Sequence, residues 1–214
     1  MNNYIEHTLL KQDARKADLE ALFEEAKNHN FFGVCVNPCY VEFAKKQLKG
    51  TNVKIVTVIG FPLGANTTAT KVFETEDAIK NGADEIDMVI NVTKVKDRET
   101  NFIIDEISQI KKACAGHNLK VIIETDLLTK EEIKYASECA INGGADFVKT
   151  STGFVKNGVG AKVEDVKLMF DTVKDAGLKV KASGGIRDKE TAKAMIEAGA
   201  CRLGTSSGVK IAAN

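Results

Sequence analysis

The sequence predicts an α/β protein with one domain over residues 1–214, a (β/α)8 barrel in which parallel strands alternate with helices. Three observations favour this fold. Short, β-prone apolar runs alternate with longer helical patterns, and such repeated βα units imply parallel strands with helical crossovers. Strands such as VTVIGF and KVIIET lack strict alternation, as expected when both sheet faces are covered. A Gly-Ala corner recurs before three strands, in KNGADEIDMVI, INGGADFVKTS and EAGACRLGTSS.

The predicted elements follow one another without a low-complexity linker. The strands are short apolar runs at 4–9, 32–36, 54–59, 85–90, 120–124, 147–149, 179–182 and 201–204. The first is the least typical, because it is short and carries Glu6 and His7. The helices have apolar residues at the 3.6 period, as with Ile103, Ile107 and Ile110. They lie at 15–29, 39–48, 68–81, 99–115, 129–142, 162–176, 188–198 and 207–213.

The rival fold is an open, doubly wound sheet. That fold normally has a Gly-rich phosphate loop directly after its first strand, and the sequence has none there. A chain of 214 residues is at the short end for a (β/α)8 barrel, so we expect few insertions. The barrel is therefore favoured over the open sheet.

Composition excludes several classes of partner. The 30 basic and 30 acidic residues give a formal net charge of zero, so no overall field attracts nucleic acid or an anionic membrane. No apolar run approaches the ~20 residues that span a bilayer, and the N-terminus lacks the basic-then-apolar order of a secretory signal. The five scattered cysteines are typical of reduced thiols in a cytoplasmic protein.

The sequence offers no metal-binding pattern. Cys35 and Cys39 are four residues apart, but no second Cys or His pair completes a zinc site. The histidines His7, His29 and His117 are far apart in the sequence. We therefore expect no metal ion and no other cofactor.

Two lysines stand where predicted strands end. Lys149, in DFVKTSTG, and Lys181, in VKASGGIR, follow apolar residues and precede Ser, Thr and Gly. The C-terminal strand ends of a barrel carry its chemistry, so both lysines would face one cavity. Two ammonium groups there repel each other, which lowers the pKa of at least one, and a Schiff-base nucleophile must be a neutral amine. The alternatives are structural lysines that neutralise Asp87 and, for Lys181, a phosphate ligand.

Asp87 lies in an apolar run, IDMVI, on the fourth strand. A buried carboxylate is costly unless it is paired. Asp87 is therefore either a core partner of a lysine or a proton-transfer group facing the two lysines. Strand parity puts Asp87 and Val89 on the same face without deciding which face is inside.

Small residues follow the seventh and eighth strands, where barrels commonly hold phosphate. The second run leads into a short helix whose N-terminus favours an anion. Ordinary βα turns also use Gly and Ser, which is the alternative explanation. Cys35, at the end of the second strand, either lines the pocket or is a small buried residue without a role. The candidate substrate and phosphate contacts are Thr152, Gly153, Gly184, Gly185, Gly204, Ser206, Ser207 and Cys35.

The combination of DFVKTSTG, VKASGGIR and RLGTSSG, preceded by EIDMVIN, resembles the deoxyribose-phosphate aldolase family in its bacterial short form. The resemblance extends over nearly the whole chain, from IEHTLL through VCVNP and VTVIGFPLG to the end. It implies a metal-independent class I aldolase on a TIM barrel, which reversibly cleaves 2-deoxy-D-ribose 5-phosphate to acetaldehyde and D-glyceraldehyde 3-phosphate. It also implies Lys149 as the Schiff-base lysine, Lys181 as the second lysine that activates it, and Asp87 as the proton relay.

Two departures from that family are visible. Glu6 stands where the family usually has Asp, which we expect to affect specificity more than activity. The chain ends in KIAAN, without the terminal Tyr that assists proton transfer in some members.

Two other functions stay open. A sugar-phosphate isomerase or another lyase would use Asp87 as a base and Lys149 as an electrophile without a covalent imine. A non-catalytic binder of phosphorylated ligands would be stabilised by phosphate without turnover, since fold alone does not fix function. We expect phosphorylated sugars and aldehydes as ligands, and no nucleic-acid or membrane partner. Exposed apolar helix positions are compatible with a homodimer.

Overall fold

Eight parallel strands close into a barrel in the computed structural model, which describes residues 1–213. The strands are β1 (Ile5–Leu9), β2 (Gly33–Val36), β3 (Lys54–Ile59), β4 (Glu85–Val89), β5 (Asn118–Ile122), β6 (Phe147–Lys149), β7 (Lys179–Ser183) and β8 (Ala200–Thr205). They pair in chain order, and β1 pairs with β8 to close the sheet. The predicted barrel is confirmed, and the open sheet is excluded.

Helices connect successive strands and pack on the outside of the barrel. They are α1 (Lys16–Asn28), α2 (Val41–Gln47), α3 (Thr68–Asn81), α4 (Val92–Lys96), α5 (Thr100–Ala113), α6 (Lys130–Asn142), α7 (Val163–Val173), α8 (Lys189–Glu197) and α9 (Gly208–Ala212). Most boundaries agree with the predicted ones within two residues. In residues 1–213, no helix is long and apolar enough to cross a bilayer.

Two local differences from the predicted elements have physical reasons. The helix α4 was missed because its five residues are too few to show helical periodicity. Asn91 caps this helix by accepting a hydrogen bond from the N–H of Lys94 at 3.3 Å. The strand β5 begins and ends two residues earlier than predicted, because Glu124 has a left-handed backbone (φ 61°, ψ 66°) that cannot continue a strand.

The two faces of the barrel sheet differ in character. On the outer face, Ile86 and Met88 of β4 are completely buried in the large apolar cluster beneath the helices. The inner face is apolar on one side, where Cys35 and Val58 pack together. Much of the remaining interior carries charged side chains. Asp87 has the opposite parity to Ile86 and Met88, so it points into the barrel, which parity alone did not decide.

A buried ion pair lies outside the barrel, between α3 and α5. The Nζ atom of Lys71 is 2.9 Å from Glu106 Oε2 and donates to the carbonyl of Val89 at 2.9 Å. Both side chains are buried. The pair therefore ties two helices to the end of the strand that carries Asp87.

Candidate active site

Asp87, Lys149 and Lys181 meet inside the barrel. The two lysines are register neighbours because β6 pairs with β7. Each lysine Nζ lies 2.7 Å from Asp87 Oδ2, and all three side chains are buried. The structure thus brings together the three side chains that the sequence singled out for chemistry.

Three more charged side chains belong to this cluster: the sequence did not identify Lys120 and Glu85 as site residues, and it noted Glu6 only as a departure from the family. Lys120 is the register neighbour of Asp87 on β5, and its Nζ lies 3.0 Å from Asp87 Oδ1 and 2.5 Å from Glu85 Oε2. Glu6 on β1 forms a close ion pair with Lys181 and lies 3.7 Å from Lys120. The available signal was a charged residue within an otherwise apolar strand.

Opposite charges favour the ionised forms of Asp87, Lys120 and Lys181 despite their burial. Burial raises the pKa of Asp87, but the three surrounding lysines hold this pKa well below its ordinary value. Burial lowers the pKa of Lys181, but Asp87 and Glu6 outweigh that effect and raise the pKa. The pKa of Lys120 is likewise lowered by burial and raised, on balance, by Asp87 and Glu6. At Lys120 and Lys181, the expected repulsion between lysines is therefore outweighed by the carboxylates.

A cavity of about 240 Å³ opens at the C-terminal end of the barrel, and Lys149 is the member of the charged cluster that lines it. Asp87 and Lys181 are completely buried and do not line it. Apolar side chains, including Leu10, Phe154 and Ile186, form part of the wall. A lysine amine that faces such a cavity can form a covalent bond with an aldehyde ligand.

The model of the DeoC/LacD family aldolases matches residues 3–214. The chain belongs to this family. The family resemblance seen in the sequence motifs is thereby confirmed, and the protein is an aldolase.

Relatives of this aldolase cover nearly its whole length. The deoxyribose-phosphate aldolase of Staphylococcus carnosus is 57% identical over 208 residues, which are 97% of this chain and 93% of that protein. The deoxyribose-phosphate aldolase of Finegoldia magna is 54% identical over 211 residues, which are 99% of this chain and 98% of that protein. A solved structure, described as the unique tetrameric structure of deoxyribose phosphate aldolase from Aeropyrum pernix, superposes with a TM-score of 0.91. It is 32% identical and covers 99% of this chain and 88% of its own.

Most of the predicted phosphate contacts of the aldolase line the cavity. They are Thr152, Gly153, Gly184, Gly185, Gly204 and Ser206. Gly185 has φ 74°, and a Cβ atom there would lie 2.3 Å from the carbonyl oxygen of Val159. At Gly204, a Cβ atom would lie 3.0 Å from Lys181 Cε, so this glycine leaves room for the lysine side chain.

Three predicted contacts are placed differently. Cys35 is completely buried inside the barrel and does not line the cavity, and burial raises the pKa of its thiol to about 11. The alternative of a small buried residue therefore fits Cys35 better than substrate contact. Ser207 is outside the cavity lining, and its N–H donates to Thr205 Oγ1 at 2.9 Å. Thr152 lines the cavity, but its N–H and hydroxyl both donate to Glu124.

Within residues 1–213, no group of three or more His, Cys, Asp or Glu residues is arranged to hold a metal ion. The carboxylates of the barrel cluster surround Lys120, and His7 pairs with Glu25 on α1 through its Nε2 at 2.7 Å.

Proposed function

We propose that this aldolase reversibly cleaves 2-deoxy-D-ribose 5-phosphate to acetaldehyde and D-glyceraldehyde 3-phosphate through a Schiff base on Lys149. One observation carries the proposal. Lys149 lines the cavity while its Nζ lies 2.7 Å from the buried carboxylate of Asp87, so the amine can meet both a ligand and a proton carrier. The names of relatives that are at least 54% identical support the choice of substrate.

The reaction begins when neutral Lys149 attacks the aldehyde carbon of the substrate. Loss of water then gives an iminium whose positive nitrogen acts as an electron sink. Within residues 1–213, Lys149 has one carboxylate within 4 Å, Asp87, whereas Lys120 and Lys181 each have two or more.

Asp87 and Lys181 handle the protons in this proposal. The Asp87 carboxylate, through a water molecule and together with Lys181, removes the proton from the C3 hydroxyl of the iminium. The C2–C3 bond then breaks, its electrons pass to the iminium nitrogen, and glyceraldehyde 3-phosphate leaves. Protonation of the remaining enamine carbon gives the acetaldehyde iminium, and water releases acetaldehyde and regenerates Lys149.

The phosphate group lies, in this proposal, on the small residues that follow β7 and β8. Gly184, Gly185, Gly204 and Ser206 line that part of the cavity, and Gly153 approaches it from the segment after β6. Peptide N–H groups and a hydroxyl are suitable donors for phosphate. Phosphate binding does no chemistry there and serves to hold the aldehyde carbon near Lys149.

The proposal is tested by comparing Lys149→Met with Lys134→Met, a matched substitution at an exposed position on α6. We expect Lys149→Met to fold and to abolish the release of glyceraldehyde 3-phosphate from deoxyribose 5-phosphate. Lys134→Met should retain wild-type turnover. Turnover of Lys149→Met at the wild-type rate would refute the nucleophile assignment. Wild-type protein that binds the substrate without cleaving it would instead support the isomerase or the non-catalytic binder.

We further propose that the aldolase acts in the cytoplasm as a homodimer. The tetrameric relative from Aeropyrum pernix supports self-association, and Leu63 and Phe73 are large apolar side chains that are 76% and 71% exposed. Sedimentation at micromolar concentration should give twice the monomer mass. A monomer mass over the whole concentration range would contradict the dimer.

A further inference from the structure

Glu124 has a backbone conformation that L-residues rarely adopt. Its φ of 61° and ψ of 66° are in the left-handed region, where glycine is favoured. The chain is held on both sides of this residue: the N–H of Ile123 donates to the carbonyl of Lys149 at 3.0 Å, and the N–H of Thr125 donates to the carbonyl of Thr150 at 2.9 Å. A non-glycine residue kept in such a conformation next to an active site indicates that its side chain has a role.

The side chain of Glu124 is directed to the segment that follows the nucleophile. Its carboxylate accepts the N–H of Thr152 at 3.2 Å and 3.3 Å to its two oxygens, and it accepts the Thr152 hydroxyl in a close hydrogen bond. Glu124 is only 3% exposed. Burial raises the pKa of this carboxyl, whereas the hydrogen bonds from Thr152 act in the opposite direction. A buried carboxylate with two donors from one residue is a strong and directional anchor.

Thr152 connects the Glu124 carboxylate to the cavity. Thr152 and Gly153 both line it, and Thr152 is three residues after Lys149. Since both donors of Thr152 are used by Glu124, Thr152 itself is not free to donate to a phosphate. The Thr152 hydroxyl also accepts the N–H of Phe154 at 3.1 Å, so the turn around Gly153 is fixed by the same two residues.

The C-terminal part of the segment after β6 is also held by a carboxylate from the loop after β5. Asp126, two residues after Glu124, accepts the N–H of Gly160 at 2.8 Å. The next residue, Ala161, donates its N–H to the carbonyl of Gly184 at 3.1 Å. The segment 150–162 is thus clamped by carboxylates from the loop after β5 and contacts the glycine turn that follows β7.

We propose that Glu124 is a positioning residue that acts through Thr152 to hold the Gly153 peptide against the phosphate end of the substrate. This inference rests on the proposed function. Glu124 does not line the cavity, so it acts on substrate affinity through the Thr152–Gly153 backbone and not by contact. It therefore sets the preference for phosphorylated over non-phosphorylated aldehydes.

Two substitutions distinguish the effect of the Glu124 carboxylate from the effect of its left-handed backbone. Glu124→Gln keeps the shape but replaces one acceptor oxygen by an NH2 group, which opposes the Thr152 N–H. Glu124→Gly removes the carboxylate and relieves the left-handed backbone. We expect both to raise KM for deoxyribose 5-phosphate by about tenfold or more, the effect of a lost hydrogen bond to a charged group. We expect kcat, and kcat/KM for 2-deoxyribose, to change less than about twofold, since these do not depend on phosphate binding.

The control is Ala115→Gly, a left-handed position (φ 49°) that is exposed and precedes β5, at the end of the barrel opposite the cavity. It relieves the same backbone strain and should leave both substrates unaffected. If the Glu124 variants do not fold, Thr152→Val and Thr152→Ser carry the test. Val removes the hydroxyl donor and should raise KM for the phosphorylated substrate, whereas Ser keeps the donor and should restore it.

A double-substitution cycle with Glu124→Gln and Thr152→Val should be clearly non-additive in KM, because the two residues act as one unit. Additive effects, an unchanged KM for the phosphorylated substrate, or equal losses with both substrates would overturn the inference. Failure of the proposed function is distinguishable, because the wild-type protein would then not cleave deoxyribose 5-phosphate at all.

Discussion

The aldolase contains two buried lysine clusters that differ in charge balance and in access to ligand. Between α3 and α5, Lys71 faces Glu106 in a pair sealed from solvent. Inside the barrel, Lys120, Lys149 and Lys181 surround Asp87, and Lys149 opens onto the cavity. Both clusters consist of buried lysines paired with buried carboxylates.

Their pKa shifts have opposite directions. Burial lowers the pKa of Lys71 and raises that of Glu106; Glu106 and the more distant Glu74 do not overcome burial at Lys71, nor does Lys71 overcome it at Glu106. In the barrel, several partner charges overcome burial, so the pKa of Asp87 is lowered and that of Lys181 is raised. The number and the proximity of the opposite charges around a buried group therefore decide the direction of its pKa shift. Access to a cavity then distinguishes a cluster that can do chemistry from one that only holds elements together.

Asp87→Asn should have the largest effect, because it removes the carboxylate that Lys149 and Lys181 share. We expect kcat to fall by about 10³-fold, as for the loss of a proton-transfer group. Unpairing of buried charge should also cost about 3–5 kcal/mol in the free energy of unfolding. Turnover and urea unfolding are to be measured beside Asp105→Asn, an exposed position on α5 that should resemble wild type. A kcat for Asp87→Asn near the wild-type value would contradict its role.

Lys71→Met should affect stability and not chemistry. It leaves Glu106 buried without its partner, so the free energy of unfolding should fall by about 3–5 kcal/mol. The kcat of the folded fraction should stay within about twofold of wild type. The double variant Lys71→Met/Glu106→Leu should recover most of the stability, because it leaves no unpaired charge. A large loss of kcat in folded Lys71→Met would break the comparison, since Lys71 would then act on the site through Val89 at the end of β4.

Gly204→Ala should have a smaller effect that is specific to the barrel cluster. Its Cβ atom would lie 3.0 Å from Lys181 Cε and 2.9 Å from Ser183 Cβ, so the lysine has to move away from Asp87. We expect a loss of kcat of about tenfold with a stability cost of about 1–3 kcal/mol, as for an overpacked core position. An unchanged kcat would show that the position of Lys181 is not critical.

The sequence singled out three of the charged residues that meet in the barrel but not the whole cluster. Lys149 and Lys181 were predictable because each ends a strand before small polar residues, and Asp87 because it interrupts an apolar run. Lys120 was missed, and Glu6 was noted only as a departure from the family, because strand register and barrel closure, which bring them to Asp87 and Lys181, are not visible in local sequence.

Most of the fold was also predictable from local sequence patterns. Alternating strand and helix patterns predicted all eight strands and most helix boundaries. The exceptions are α4, which is too short for a periodic signal, and the end of β5, where tertiary contacts hold Glu124 in a left-handed conformation that its residue type does not favour.

The most direct test of the central claim is borohydride trapping with deoxyribose 5-phosphate, followed by peptide mass spectrometry. Reduction of the imine should leave a stable adduct on Lys149, the cluster lysine that lines the cavity, and none on Lys71, which is sealed from solvent. An adduct on Lys181 would exchange the roles of the two barrel lysines. The absence of any adduct, with the substrate shown to bind, would contradict the Schiff-base mechanism.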